Sequence, residues 1–112
     1  TLDYKLALQG AEGDEGLLRD MIELFLEKVE DYLQAIDDGC DAQDPQLIQK
    51  SAHRFKGALA NFEAKDSVKL AYNIEKNAKE GSMESIEKDV VMLKQAVAKL
   101  TKEMAKIVRS QR

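Results

Sequence analysis

The strongest constraint on the fold is the spacing of the apolar residues, which recur at alternating intervals of four and three along most of the chain. This spacing places them on one stripe of an α-helix, and it is typical of helices that pack side by side in a bundle. Only one proline and six glycines interrupt 112 residues, so we expect a few long elements. The sequence has no alternating strand pattern, and the predicted fold class is all-α.

The first two helices follow from these stripes and from residues that begin or end helices. A short first helix is predicted over residues 3–9, and residues 10–13 break it. The second helix is predicted to run from a cap at Asp14 to about Ile36 and to stop at Gly39. Its apolar stripe consists of Leu18, Ile22, Phe25, Val29, Tyr32 and Ile36.

The third helix is predicted to begin at Asp44 and Pro45, because aspartate caps helices and proline fits their first turn. Its stripe consists of Ile48, Ala52, Phe55, Leu59 and Phe62.

The fourth and fifth helices occupy the rest of the chain. A connection over residues 63–66 precedes the fourth helix, for which Asp66 or Ser67 is the predicted cap, and Gly81 and Ser82 separate it from the fifth. The fourth stripe consists of Leu70, Ala71, Ile74 and Ala78. The fifth consists of Ile86, Val90, Leu93, Val97, Leu100, Met104 and Ile107.

Four amphipathic helices with short connections predict an antiparallel up-down four-helix bundle, with the short extra N-terminal helix packed across one end. The length is that of one domain over residues 1–112. Because the chain starts at Thr1 without an initiator methionine, we expect it to be a piece of a longer protein. With no signal peptide visible, a cytoplasmic location is expected.

Composition and charge argue against several functional classes. The net charge of -4 offers no basic footprint for nucleic acid or anionic lipid, and the apolar run at residues 90–93 is too short to span a membrane. A single cysteine and a single histidine cannot form a zinc site. The acidic stretch over residues 37–44 lacks the ligand spacing of an EF-hand, and no glycine-rich loop is present to bind ATP.

His53 is the most informative polar residue. It lies away from the apolar stripe of the third helix and shares its own stripe with Gln49, Lys56, Gly57 and Ala60. Imidazole is a good nucleophile near neutral pH, and a cation one turn away can pair with a phosphoryl group attached to it. A glycine inside a helix costs about 1 kcal/mol relative to alanine, which suggests a purpose other than helix stability.

Residues 52–57, which read AHRFKG, resemble the A-H-x-L-K-G signature of histidine phosphotransfer (HPt) domains. In motif the resemblance covers about residues 3–80, including 13–18 with Phe25 and Leu33, 61–65 and 70–75. Three positions depart from the family pattern. Glu63 stands where the family usually has glycine, Phe55 replaces the commoner leucine, and Ala58 stands where some members have serine.

The resemblance implies that His53 is phosphorylated on Nε2, that Lys56 neutralises the phosphoryl oxygens, and that Gly57 lets a receiver domain approach. In such domains a glutamine or glutamate on the neighbouring helix often binds the other ring nitrogen. Glu75 lies at the matching offset, 22 residues after His53, and either holds the ring in this way or is a solvated surface residue.

The implied function is that of a phosphorelay intermediate, a carrier rather than an enzyme with its own kinase domain. It would accept a phosphoryl group from a receiver aspartate and pass it to another receiver. The chain would be a monomer with no cofactor or metal of its own, because the partner receiver supplies Mg²⁺. Receiver domains are the expected partners. A hybrid histidine kinase is either a further partner or the longer protein to which this domain belongs.

Two other functions remain open at this point. The first is a helical adaptor that docks partners without chemistry, which phosphorylation of His53 would distinguish from a carrier. The second is a hydrolase that uses His53 as a general base, although its stripe offers neither a nucleophile nor an oxyanion site.

Overall fold

The computed structural model describes residues 2–110, and every regular element in that range is an α-helix, as predicted. The helices are α1 (Tyr4–Gly10), α2 (Glu15–Asp41), α3 (Pro45–Ala60), α4 (Lys65–Glu80) and α5 (Ile86–Ser110). None of the helices in this range is both long and apolar enough to cross a bilayer.

The four long helices form the predicted up-down bundle. Each packs against the next one in sequence, and α5 closes the bundle by packing against α2. The short helix α1 lies near the end of the bundle formed by the α3–α4 connection, where Gly10 approaches the backbone of Asn61. The backbone N–H of Leu2 donates to the carboxylate of Glu103 on α5 at 2.8 Å, which ties Leu2 to the bundle.

The predicted stripes form the core, apart from three residues that are only half-buried, namely Tyr32, Leu70 and Ile107. The stripe residues of α3 are all buried, and those of α2 are buried except for the half-buried Tyr32. Aromatic rings join α2 to α3: the ring centroid of Phe55 lies 6.1 Å from that of Phe25 and 5.2 Å from that of Tyr32. Burying these rings removes apolar surface from water, which is the main stabilisation of such a bundle.

Aspartates cap the first three helices through the mechanism expected for this residue type. The carboxylates of Asp3, Asp14 and Asp44 each accept a hydrogen bond from the backbone N–H three residues later. Asp14 and Asp44 confirm the predicted caps. Gly81 ends α4, also as predicted, and it adopts a left-handed conformation with φ 76°.

The predicted end of the second helix was wrong. α2 continues through Gly39 to Asp41, and Gly39 is a buried residue within the helix. A Cβ placed on Gly39 would lie 2.8 Å from Ile48 Cγ1 and 3.0 Å from the backbone nitrogen of Ile48. This glycine therefore allows α2 to approach the first turn of α3, rather than ending the helix.

The boundaries of the last two helices also differ from the predictions. α4 begins at Lys65 behind Ala64, which offers no side-chain cap, and Ser67 is fully buried rather than capping. α5 begins only at Ile86. At its other end Val108 is buried and Ile107 only half-buried, because a straight helix drifts away from a strict seven-residue repeat.

The turn after α3 accommodates glutamate where the resembling family usually has glycine. Glu63 adopts φ 53°, in the left-handed region that a residue with a Cβ occupies at a cost of roughly 1–2 kcal/mol. Its side chain is exposed, so the departure affects the backbone of the turn and does not disturb the core.

Gly39 and Gly57 provide a matched pair that tests the packing of α2 on α3. We expect Gly39→Ala to lower the free energy of unfolding by about 1–2 kcal/mol, because overpacking against Ile48 outweighs the gain in helix propensity. Gly57→Ala should raise it by about 0.5–1 kcal/mol, since a Cβ there meets nothing within 4 Å. Urea denaturation measures the free energy of unfolding of both variants. An increase for Gly39→Ala would contradict the close approach of α2 to α3.

Candidate functional site

His53 lies on the outer surface of α3 because its neighbours occupy the inner one. Ala52 and Phe55, on either side of it in sequence, are fully buried in the core. The His53 side chain retains 67% of its accessible surface. The ring is therefore held by a helix that the bundle anchors, while it remains open to another protein.

Glu75 reaches His53 from the adjacent helix α4. Its Oε2 lies 2.8 Å from Nδ1 of His53, and its side chain is only 17% exposed. A carboxylate can only accept a hydrogen bond, so Nδ1 carries the proton in this pair. The other nitrogen, Nε2, then presents its lone pair outward. Of the two interpretations left open by the sequence, the structure supports the contact with the ring.

Lys56 binds the other oxygen of the same carboxylate. Its ammonium donates to Oε1 of Glu75 at 2.7 Å and lies 5.3 Å from the centre of the Tyr72 ring. Cations are attracted to aromatic faces, so Tyr72 adds a second attraction that holds the ammonium beside Glu75. One carboxylate thus joins the predicted nucleophile and the predicted cation.

These contacts determine the charge of Glu75. Partial burial by itself raises the pKa of Glu75, but the hydrogen bonds from Lys56 and His53, together with the charges of these two residues, outweigh it and place the pKa below its ordinary value. Glu75 is therefore a carboxylate at neutral pH and can accept both hydrogen bonds at once.

Gly57, the fourth predicted site residue, lies one turn after His53 and is exposed. A Cβ placed there would meet nothing within 4 Å, so internal packing does not require a glycine at this position. The structure therefore brings His53, Lys56 and Glu75 into contact and leaves an open surface at Gly57.

Sequence reasoning missed the contact of Tyr72 with Lys56. The available signal was spacing, because Tyr72 precedes Glu75 by three residues and lies on the same side of α4. It also missed a shallow open depression beside His53, on the side toward the start of α3. This depression is lined by Gln46, Gln49, Lys50, His53, Arg54 and Glu75.

Comparison with known proteins identifies similar sequences and folds. The family model of the Hpt domain matches residues 20–107, a range that contains all four predicted site residues. The signal transduction histidine-protein kinases BarA of Escherichia coli (strain K12) and Shigella flexneri are 24% identical to the chain over 109 residues. The match covers 96% of this chain but 12% of each kinase, so the chain spans about an eighth of their length.

Two solved structures have a similar fold. Histidine-containing phosphotransfer protein B (HptB) from Pseudomonas aeruginosa PAO1 is 20% identical with a TM-score of 0.92, covering 99% of this chain and 96% of that one. The HPT domain of a sensor hybrid histidine kinase from Shewanella is 18% identical with a TM-score of 0.85, covering 97% and 94%. At these identities, the likeness establishes the helical bundle.

The lowered pKa of Glu75 predicts a pH-dependent contribution to stability. A carboxyl group whose pKa falls on folding stabilises the protein fully above its ordinary value of 4.5, and this contribution is lost as the pH falls through the lower folded-state pKa. We expect Glu75→Gln to be less stable by about 0.5–1 kcal/mol at pH 7, and the difference to narrow below pH 4.5.

Urea denaturation at several pH values measures this difference. The matched control is Glu30→Gln, which neutralises an exposed carboxylate on α2 and should produce a much smaller change. If the stability difference for Glu75→Gln stays constant from neutral to acid pH, the two partners do not lower the pKa of Glu75.

Proposed function

This chain belongs to the Hpt domain family of two-component phosphorelays, and we propose that His53 is the residue through which it carries a phosphoryl group. The chain is a phosphotransfer intermediate by that membership. The observation that carries the assignment to His53 is the fixed imidazole. The Glu75 carboxylate accepts a hydrogen bond from Nδ1 of His53, and two thirds of the His53 side chain is exposed. Within residues 2–110, Nε2 of His53 has no hydrogen-bond partner.

The proposed reaction begins with an aspartyl phosphate on a receiver domain. The lone pair of Nε2 attacks phosphorus, the N–P bond forms, the P–O bond to the receiver aspartate breaks, and aspartate leaves as a carboxylate. The ring keeps its Nδ1 proton and gains positive charge as the N–P bond forms. The carboxylate of Glu75 stabilises this charge through the 2.8 Å hydrogen bond and keeps the ring oriented.

Lys56 supports this step in two ways. It keeps Glu75 anionic through the 2.7 Å ion pair, and it places a positive charge one turn from the nitrogen that receives the phosphoryl group. An ammonium has three N–H donors, so Lys56 has donors left for phosphoryl oxygens after binding Glu75.

The partner in this proposal is a receiver domain, which supplies the aspartate and Mg²⁺. The chain itself holds no cofactor, and residues 1–112 act as a single carrier domain whose reaction is reversible because the aspartate can attack the phosphohistidine in turn. The competing adaptor hypothesis predicts docking without any phosphorylation of the chain.

The direct test is incubation with a phosphorylated receiver domain. We expect the wild-type chain to acquire an acid-labile phosphoryl group and His53→Gln to acquire none. Because His53 is exposed, the variant should unfold at nearly the same urea concentration. Equal labelling of the two proteins would overturn the assignment to His53, and an unlabelled wild-type chain that still binds the receiver would favour the adaptor.

Because the surface at Gly57 is open, a larger side chain there should slow phosphoryl transfer without impairing folding. Gly57→Gln should fold at least as stably as wild type, because the side chain extends into solvent, yet should accept the phosphoryl group at least tenfold more slowly if the receiver docks there. Gly57→Ala is the matched control and should retain most of the transfer rate. Normal transfer by Gly57→Gln would place the receiver on another surface.

A further inference from the structure

The two sides of His53 differ in how their cations are paired. At about 100° per residue, Lys56 lies about 60° around α3 from His53 on the side that faces α4. There it is bound to Glu75. Lys50 and Arg54 lie about 60° and 100° away on the opposite side. Within residues 2–110, neither forms an ion pair with a carboxylate.

A second observation places Lys50 and Arg54 beside the reactive ring. Both line the depression that contains His53 and Glu75, together with the amide side chains of Gln46 and Gln49. Lys56 is not among the residues that line this depression. Arg54 also lines a neighbouring depression with Asp31 of α2, without forming an ion pair with it.

Charge balance distinguishes the two sides. Before transfer, a neutral His53 ring, the Glu75 carboxylate and the Lys56 ammonium sum to zero. Transfer of PO₃⁻ places about two negative charges on the phosphoryl oxygens and one positive charge on the ring, so the three residues then sum to about minus one. Lys56 is already held in its ion pair with Glu75, so the remaining negative charge calls for a further cation. Two unpaired cations on the other side can neutralise the phosphoryl group while the contact of Lys56 with Glu75 remains intact.

We propose that Lys50 and Arg54 bind the phosphoryl oxygens of phosphorylated His53 from the depression, and that Lys56 acts mainly through Glu75. This inference rests on the proposed function of His53 and adds the residues that hold its phosphoryl group. Lys50 and Arg54 supply the main contacts to the transferred group. The main role of Lys56 is to position the carboxylate that orients the ring, and its remaining N–H donors make the lesser contact to the phosphoryl oxygens.

The test uses phosphoramidate, which phosphorylates histidine without a receiver domain. Nε2 attacks phosphorus, the N–P bond to His53 forms, the P–N bond of phosphoramidate breaks, and ammonia leaves. The variants are Lys50→Gln with Arg54→Gln, Lys56→Gln, and the matched control Lys102→Gln, which removes a charge from an exposed position on α5. Phosphorus NMR gives the titration of the phosphoryl group, and nitrogen NMR gives the tautomer of the unphosphorylated ring.

We expect the Lys50→Gln, Arg54→Gln double variant to raise the pKa of the phosphoryl group and slow its uptake by about three- to tenfold, with a smaller effect at high salt. Its histidine tautomer should match wild type. Lys56→Gln should redistribute the tautomer while changing the phosphoryl titration little, and Lys102→Gln should change neither.

The opposite pattern would overturn the inference. If the double variant titrates like wild type and Lys56→Gln raises the phosphoryl pKa, the phosphoryl group lies on Lys56, although His53 remains the carrier. If the wild-type chain is not phosphorylated on His53 at all, the proposed function fails, and this inference fails with it.

Discussion

The Glu75 carboxylate, bound at one oxygen by His53 and at the other by Lys56, is the interaction on which the site depends. A single acceptor sets the tautomer of the ring, its orientation and the position of the Lys56 ammonium. The carboxylate belongs to α4, while both of its partners belong to α3. The site therefore exists only when these two helices pack in one register, so the core of the bundle determines its geometry.

That register follows from the apolar stripes. The interior of the bundle is lined from α3 by Phe55 and Leu59 and from α4 by Ala71 and Ile74. Residues beside these two stripes therefore meet at the groove between the helices. Glu75 follows Ile74 directly and is mostly buried at the edge of that groove, which explains how it reaches His53. The long helices hold these atoms more rigidly than loops would.

The stripes and aspartate caps could be predicted from the sequence because each depends on residues close together in the chain. The end of α2 could not, because Gly39 is determined by its contact with Ile48 of another helix. The start of α4 could not be predicted either, because packing against other helices buries Ser67, a residue type that otherwise caps helices. In the site, the resemblance suggested Glu75 for His53, but the shared use of Glu75 by Lys56 required atomic positions.

A carrier must release its phosphoryl group as readily as it accepts it, and the exposure of the site suits this requirement. A phosphoryl group enclosed by buried cations would be held by strong charge interactions and would leave slowly. The cations on the open side of His53 lie at the surface, where solvent and salt reduce each pairing to a fraction of a kcal/mol up to about 1 kcal/mol. The better-shielded pairing, between Glu75 and Lys56, acts on the ring, and in the proposed arrangement the phosphoryl group does not replace it. Separating a firm contact that orients the nucleophile from weak contacts that hold the cargo allows the same histidine to serve transfer in both directions.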